Sequence, residues 1–191
     1  MTARFGKLTW LWLSVLVIGA DQITKHWFVA NLEMYEQIVV IPDLFSWTLA
    51  YNRGAAFSFL ANQDGWQRWF FAVIALAVSA VLLVWLKRLK ANETWLAIAL
   101  ALVLGGAIGN LYDRVVLGHV VDFILVHWKT QWYFPAFNIA DSAITVGAVM
   151  LALDMFRGDK STTSKVTGAQ DNECTTYWAK QHSNFAFCFE V

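Results

Sequence analysis

The sequence predicts an all-α integral membrane protein with four transmembrane helices and a small β-rich outer subdomain. Of its 191 residues, 58% are hydrophobic and only 15% are charged, a balance that soluble domains rarely have. Two stretches, 69–86 and 95–112, each run for 18 residues without a charge, which is about the length a helix needs to cross a bilayer. The net charge of zero gives no reason to expect nucleic-acid binding.

The first predicted span covers about residues 8–28. Its apolar residues follow the basic residues Arg4 and Lys7, are interrupted by Asp21 and then resume. A basic start before a short apolar run is also typical of a cleavable signal peptide. A signal peptide ending at residues 18–20 therefore remains an alternative to a permanent first span.

The remaining spans fix the predicted orientation. A short basic segment, 87–90, joins the second span (69–86) to the third (95–112), and the positive-inside rule places such a loop in the cytoplasm. The fourth span, about 136–155, carries Asp141 as the only charge of its first ten residues. Four crossings then leave both termini in the cytoplasm.

The segments outside the spans differ from one another in composition. Residues 36–60 are rich in β-branched and aromatic residues with turn signals, and predict the small outer β-structure. Residues 113–135 are polar and irregular, and predict an outer loop bearing Asp122. The membrane domain thus ends near residue 158, and residues 159–191, which contain both cysteines, predict a disordered cytoplasmic tail.

Acidic residues within the spans are the first candidates for chemistry, because an ionisable group in a membrane is costly unless it has a function and a partner. Helical rise places Asp141 roughly 7 Å and Asp21 roughly 10 Å below the outer ends of their spans. Asn138 precedes Asp141 by three residues, which predicts that both lie on one helix face. The third span ends at the same level with three polar residues: Asn110, Asp113 and Arg114.

Asp122 is flanked by apolar residues in the segment 120–124, which predicts a carboxylate tucked against the membrane surface. If Asp122 and Asp141 share one desolvated site, they cannot easily both ionise, and one proton is held between them. The ionised acid would activate water, while the protonated acid would polarise a carbonyl group. The residues alone equally allow a polar cluster with a purely structural role.

Structural roles are expected for several of the same residues. Asp113 and Arg114 predict an ion pair at the end of the third span. Asp21 and Lys25, four residues apart, predict an ion pair within the first span. The segment 52–54 predicts a turn in which Gly54 supplies a backbone conformation that other residues resist.

Other interpretations remain open from the residues. His119 and Asp122, three residues apart, resemble half a metal site. A serine peptidase would use Ser58 or Ser142 with Lys25 as its base. A proton-coupled exporter would use the intramembrane acids as proton carriers, but it needs access from both faces.

Five ordered motifs connect the chain with a known family. They are DQITK at 21–25, NRGAAFS at 52–58, GGAIGNLYDR at 105–114, VVDF at 120–123 and FNIAD at 137–141. On these motifs the chain closely resembles the lipoprotein signal peptidases, or type II signal peptidases, over roughly residues 8–156. Members of that family usually end soon after the fourth span, so the resemblance implies no activity for the tail.

The resemblance implies an aspartyl endopeptidase of the bacterial inner membrane with its site near the periplasmic face. Its substrates would be diacylglyceryl-modified prolipoproteins, cut on the N-terminal side of the lipidated cysteine, and its surroundings membrane lipids. Asp122 and Asp141 would form the catalytic dyad. The family's supporting positions match Asp21, Lys25, Asn52, Gly54, Asn110, Asp113, Arg114 and Asn138. The family uses no metal and no organic cofactor.

Overall fold

The computed structural model describes residues 7–54, 65–129 and 131–156. One compact unit covers Met1–Leu151, and the contacts described below lie within it; a second unit covers Ala152–Val191. The predicted tail, residues 159–191, lies outside the described residues, as do positions 55–60 of the predicted outer β-segment.

The described residues contain four long helices. They are α1 (Leu11–Asn31), α2 (Trp66–Arg88), α3 (Thr94–Val116) and α4 (Ile139–Phe156), with a 3₁₀ turn at Leu8–Trp10 before α1. By length and composition α2, α3 and α4 are able to cross a membrane. The polar residues Asp21, Gln22 and Lys25 lower the hydropathy of α1. Apolar helices together with a small antiparallel sheet confirm the predicted combination of a helical body with a β-subdomain.

Helix α3 is the most buried of the three apolar helices. Its glycines permit close packing, because a Cβ at Gly105 would lie 2.9 Å from the carbonyl oxygen of Ser14 in α1, and one at Gly106 would overlap the carbonyl oxygen of Ala140 in α4. At the other end of α3 a leucine cluster packs against α2. Small residues thus bring α1 and α4 against α3 at the level where its polar residues begin.

A four-stranded antiparallel sheet is formed by the segments that follow the C-terminal ends of α1 and α3. Its strands are β1 (Gln37–Ile41), β2 (Phe45–Asn52), β3 (Val120–Trp128) and β4 (Trp132–Tyr133), in the order β1-β2-β3-β4. The prediction that residues 113–135 form an irregular loop was therefore wrong. Helix α3 extends to Val116, and most of the remaining residues form β3 and β4. Consecutive residues from Val120 to Phe123 are buried, so β3 lacks the alternation that identifies a half-exposed strand.

An aromatic cluster fixes the sheet against α1. The rings of Phe28 in α1 and Phe123 in β3 stack with centroids 4.4 Å apart, and Trp47 of β2 lies 5.1 Å from Phe28. Strand β2 pairs with β3 so that Ala50 lies opposite Asp122 and Asn52 opposite Val120. This pairing positions Asp122 relative to α1 and β2.

Replacing Gly106 with Ala tests the close contact between α3 and α4. The added methyl group would overlap the backbone of Ala140, which cannot rotate away as a flexible side chain does, so we expect a loss of about 1–3 kcal/mol and a lower unfolding temperature by tryptophan fluorescence in detergent. Gly19→Ala is the matched control, since nothing lies within 4 Å of its Cβ position and Ala favours helix by about 1 kcal/mol. Equal unfolding temperatures for both variants would contradict the packing described here.

Candidate active site

Asp122 lies in the middle of the buried part of β3 and is only 2% exposed. Its two carboxylate oxygens each accept a hydrogen bond from an asparagine amide. Asn138 Nδ2 donates to Oδ1 at 2.7 Å, and Asn52 Nδ2 donates to Oδ2 at 3.1 Å. Two residues from separate parts of the chain therefore hold this carboxyl group in one orientation.

Asp141 lies in the first turn of α4, and Asn138 is the residue that caps this helix. Asn138 Oδ1 accepts a hydrogen bond from the backbone N–H of Asp141 at 2.9 Å. The predicted shared helix face of Asn138 and Asp141 was wrong, because α4 begins at Ile139 and Asn138 adopts the capping position instead. The unpaired N–H groups of a helix N-terminus favour a carboxylate at the position of Asp141.

The side-chain amide of Asn110 connects Asp141 with the buried residues Asn138 and Lys25. Asn110 Nδ2 donates to Asp141 Oδ1 at 2.7 Å. Its Oδ1 accepts from Asn138 Nδ2 at 3.2 Å and from Lys25 Nζ at 3.0 Å. Because its oxygen already receives two donors, the amide can present only its nitrogen to Asp141.

Lys25 is buried, and all three of its donors are used. Its ammonium group lies 2.7 Å from Asp21 Oδ2, 2.7 Å from Asp113 Oδ2 and 3.0 Å from Asn110 Oδ1. The predicted ion pair between Asp21 and Lys25 is confirmed. This arrangement gives the buried cation two counterions and a neutral acceptor, which a buried charge requires.

The predicted ion pair between Asp113 and Arg114 was wrong. Asp113 bonds to Lys25 instead, since neighbouring residues on a helix point in different directions. Arg114 Nη1 donates to the backbone oxygen of Asn110 at 3.1 Å, and its guanidinium carbon lies 5.4 Å from the ring centre of Phe71. Arg114 is thereby held beside the two acids.

The predicted turn at residues 52–54 is present and orients Asn52. Gly54 N donates to Asn52 Oδ1 at 2.9 Å, which leaves Asn52 Nδ2 directed at Asp122. Gly54 has a φ of +110°, and a Cβ there would lie 2.7 Å from the Phe71 ring. Both observations explain a glycine at this position.

The structure adds two contacts that the sequence did not reveal. Gln22 Nε2 donates to Asp113 Oδ1 at 2.9 Å, and Asp21 Oδ1 accepts from the backbone N–H of Ala140 at 3.0 Å. The sequence could have indicated a role for Gln22, because an amide within an apolar span also needs a hydrogen-bond partner. No feature of the sequence indicates the contact of Asp21 with Ala140, since the two residues are far apart in the chain.

Burial and charge repulsion give the Asp122 carboxyl group a higher pKa than that of an ordinary aspartate. Burial, and secondarily the nearby charge of Asp141, raise the pKa of Asp122 to about 7, although hydrogen bonds from Asn52 and Asn138 favour its ionised form. Near neutral pH, Asp122 therefore carries a proton for a substantial part of the time.

An open cavity of about 770 Å³ adjoins both acids. Asp122, Asp141 and Arg114 supply its charged groups, and much of the remaining wall is apolar or aromatic. These other lining residues include Ala50, Tyr51, Phe134, Pro135, Ala136, Phe137 and Val146. A cavity of this size admits an extended peptide segment alongside apolar groups.

The rival chemistries find less support in the described residues. No group of three or more His, Cys, Asp or Glu among them is arranged to hold a metal, and His119 packs on the ring of Tyr51 at 4.3 Å. Ser142 Oγ donates to the backbone oxygen of Asn138, while the donors of Lys25 are engaged elsewhere. Ser58 lies outside the described residues.

Replacing Lys25 with Met tests whether the ion cluster organises the fold. Asp21 and Asp113 would remain buried without their cation, so we expect a loss of about 3–5 kcal/mol, measured as a lower unfolding temperature in detergent. Adding Asp113→Asn should recover part of that loss, because one uncompensated charge is removed. Lys90→Met, at an exposed position, is the control. An unchanged unfolding temperature for Lys25→Met would refute this role.

Comparisons with known proteins identify the family. A family model described as "Signal peptidase (SPase) II" matches residues 13–157. The lipoprotein signal peptidase of Pseudomonas aeruginosa (strain UCBPP-PA14) is 78% identical over 158 residues, which are 83% of this chain and 94% of that protein. That of Pseudomonas fluorescens (strain Pf0-1) is 77% identical over 158 residues, covering 83% and 93%.

A solved structure has a similar fold. It is described as "Bacterial membrane enzyme structure by the in meso method at 1.9 A resolution", and it aligns with a TM-score of 0.69 and 29% identity over 81% of this chain and 97% of that chain. The family resemblance drawn from the five motifs is confirmed. The chain belongs to the signal peptidase II family of bacterial membrane peptidases.

Proposed function

We propose that this protein removes signal peptides from diacylglyceryl-modified prolipoproteins, with Asp122 and Asp141 as its catalytic acids. The proposed cleavage lies on the N-terminal side of the lipidated cysteine. The placement of both carboxyl groups on one cavity is the observation that carries this proposal. The names of the similar proteins, lipoprotein signal peptidases, support the substrate class.

The two acids have different roles in the proposed reaction. Asp141 is ionised and takes a proton from a water molecule, whose oxygen attacks the carbonyl carbon of the scissile peptide bond. Asp122 is protonated and donates a hydrogen bond to the carbonyl oxygen. As the tetrahedral intermediate collapses, the C–N bond breaks and Asp122 passes its proton to the leaving amine. The raised pKa of Asp122 supports this division.

Charged and amide groups around the dyad have supporting roles. Asn52 and Asn138 hold Asp122, Asn110 holds Asp141, and Gly54 shapes the turn that directs Asn52. Arg114 lines the cavity, where its charge would stabilise negative charge that develops on the carbonyl oxygen. Asp21, Lys25 and Asp113 act more remotely by fixing the position of Asn110. We propose no metal and no organic cofactor.

We further propose that α1 is a fourth membrane span. Its charged residues Asp21 and Lys25 are buried against α3 and paired, while the other side of α1 exposes apolar residues such as Leu16 and Ile23. Such a helix tolerates a membrane because its polar groups face the protein interior. A signal peptide ending at residues 18–20 would instead remove the first part of α1, including Ser14, whose backbone packs against Gly105 of α3.

The proposed orientation follows from four spans. The basic segment 87–90 would lie in the cytoplasm, together with both termini, while the sheet and the cavity would lie at the periplasmic face of the inner membrane. Residues 1–158 would form the peptidase domain, and the tail 159–191 would be a cytoplasmic extension without a role in cleavage. Acids near one face only do not favour a proton-coupled exporter.

Substitution of each acid tests the dyad. In cleavage of a purified diacylglyceryl-modified prolipoprotein, Asp122→Asn and Asp141→Asn should each lower kcat by at least about 10²-fold, since general acid–base catalysis contributes that much. Asp43→Asn is the matched control, because Asp43 is an exposed acid in the turn between β1 and β2. Activity retained in either dyad variant, with native unfolding temperature, would refute the assignment.

Two further experiments test the catalytic mechanism and the choice of substrate separately. Ser142→Ala should retain cleavage, and its inactivity would favour the serine mechanism. The same prolipoprotein without the diacylglyceryl group should be cleaved much more slowly. Equal rates on both forms would contradict the proposed lipid dependence but leave the dyad intact.

A further inference from the structure

Strand β1 differs from an ordinary sheet strand in burying neither face. All five of its residues are exposed, and four consecutive apolar residues, Ile38–Ile41, are between 45% and 60% exposed. An antiparallel strand that covers a protein core normally alternates apolar buried residues with polar exposed ones. Both faces of β1 therefore present apolar side chains to the surroundings.

Among the described residues β1 is an edge strand, and its edge away from β2 is poorly suited to pairing with another strand. The register with β2 shifts between Val39 and Ile41, and a bulge at a sheet edge interferes with further pairing. Pro42, which has no backbone N–H, follows the strand directly. These features disfavour a strand of a second protein as the occupant of this edge.

The apolar surface of β1 continues from that of α1. Near its outer end α1 exposes Trp27 and Val29, and the connection to β1 exposes Met34 and Tyr35. The connection also contains Glu33 and Glu36: the Glu33 N–H donates to the Glu36 carboxylate, and the Glu36 N–H donates to the Glu33 carbonyl oxygen. Aromatic residues at such positions are typical of the layer where a bilayer meets water.

The opposite edge of the sheet has a similar surface. Trp132 and Tyr133, which make up β4, and the following Phe134 are each about half exposed. Trp128 at the end of β3 is also exposed. Aliphatic residues at one edge and aromatic residues at the other thus flank the two central strands.

We propose that β1 lies in the interfacial layer of the outer leaflet and that its apolar side chains contact lipid there. The proposal rests on the membrane insertion proposed above. The edge of β1 away from β2 remains hydrated among the lipid headgroups, because hydrocarbon would leave its N–H and C=O groups unsatisfied. Lipid contact at β1 would then set the height of the neighbouring strands β2 and β3, and with it the depth of Asp122.

Depth-dependent fluorescence quenching tests this contact. Cys174 and Cys188 are first replaced with Ser, and Val39→Cys then receives an environment-sensitive fluorophore. The full chain is placed in nanodiscs of phosphatidylethanolamine and phosphatidylglycerol. Lipids with a nitroxide near the headgroup should quench the fluorophore severalfold more than aqueous iodide does.

Two matched sites calibrate the measurement. Val73→Cys, on the exposed surface of α2, should be quenched by nitroxide lipids, and Asn92→Cys, in the exposed connection between α2 and α3, by iodide. Iodide quenching at Val39 equal to that at Asn92 would overturn the proposal. Protection of Val39 from both quenchers would also overturn it, in favour of a protein partner. Failure of nitroxide quenching at Val73 would instead refute membrane insertion itself.

Discussion

The buried charge of Lys25 is the constraint on which the arrangement of α1, α3 and α4 around the cavity depends. A buried ammonium group is stable only when counterions and acceptors surround it, and here Asp21, Asp113 and Asn110 occupy all three of its donors. Asp21 in turn accepts a hydrogen bond from the backbone of α4 at Ala140. One cation thus joins α1, α3 and α4 at the level of the cavity, and the α3 glycines permit the close approach that this requires.

The same network reaches both acids through neutral amides instead of charges. Asn110 contacts Asp141, and Asn138 contacts Asp122 and also caps α4. The amides orient the carboxyl groups without forming ion pairs with them, and their hydrogen bonds, together with the charge of Lys25, lower the pKa of Asp122 by less than burial and Asp141 raise it. Asp122 can therefore keep a raised pKa beside Asp141, which the proposed division into a proton donor and a water-activating base requires.

The sequence predicted those parts of the structure that follow from local rules. Spacing along a helix was enough to pair Asp21 with Lys25, and the cost of charge in apolar spans identified the acidic candidates. The strand bearing Asp122 was missed because it is buried on both faces and lacks a periodic pattern. The capping role of Asn138 depended on a helix boundary, which sequence locates poorly. The partner of Asp113 depended on tertiary packing between α1 and α3.

The pH dependence of kcat/KM tests most directly whether Asp122 supplies the proton. Cleavage should decline as pH rises through about 7, where Asp122 loses its proton. In Asn52→Ala, the carboxylate of Asp122 loses a hydrogen bond that favours its ionised form, so the pKa rises and the decline should move to higher pH. A decline that stays in place, or moves to lower pH, in a folded Asn52→Ala variant would contradict this account.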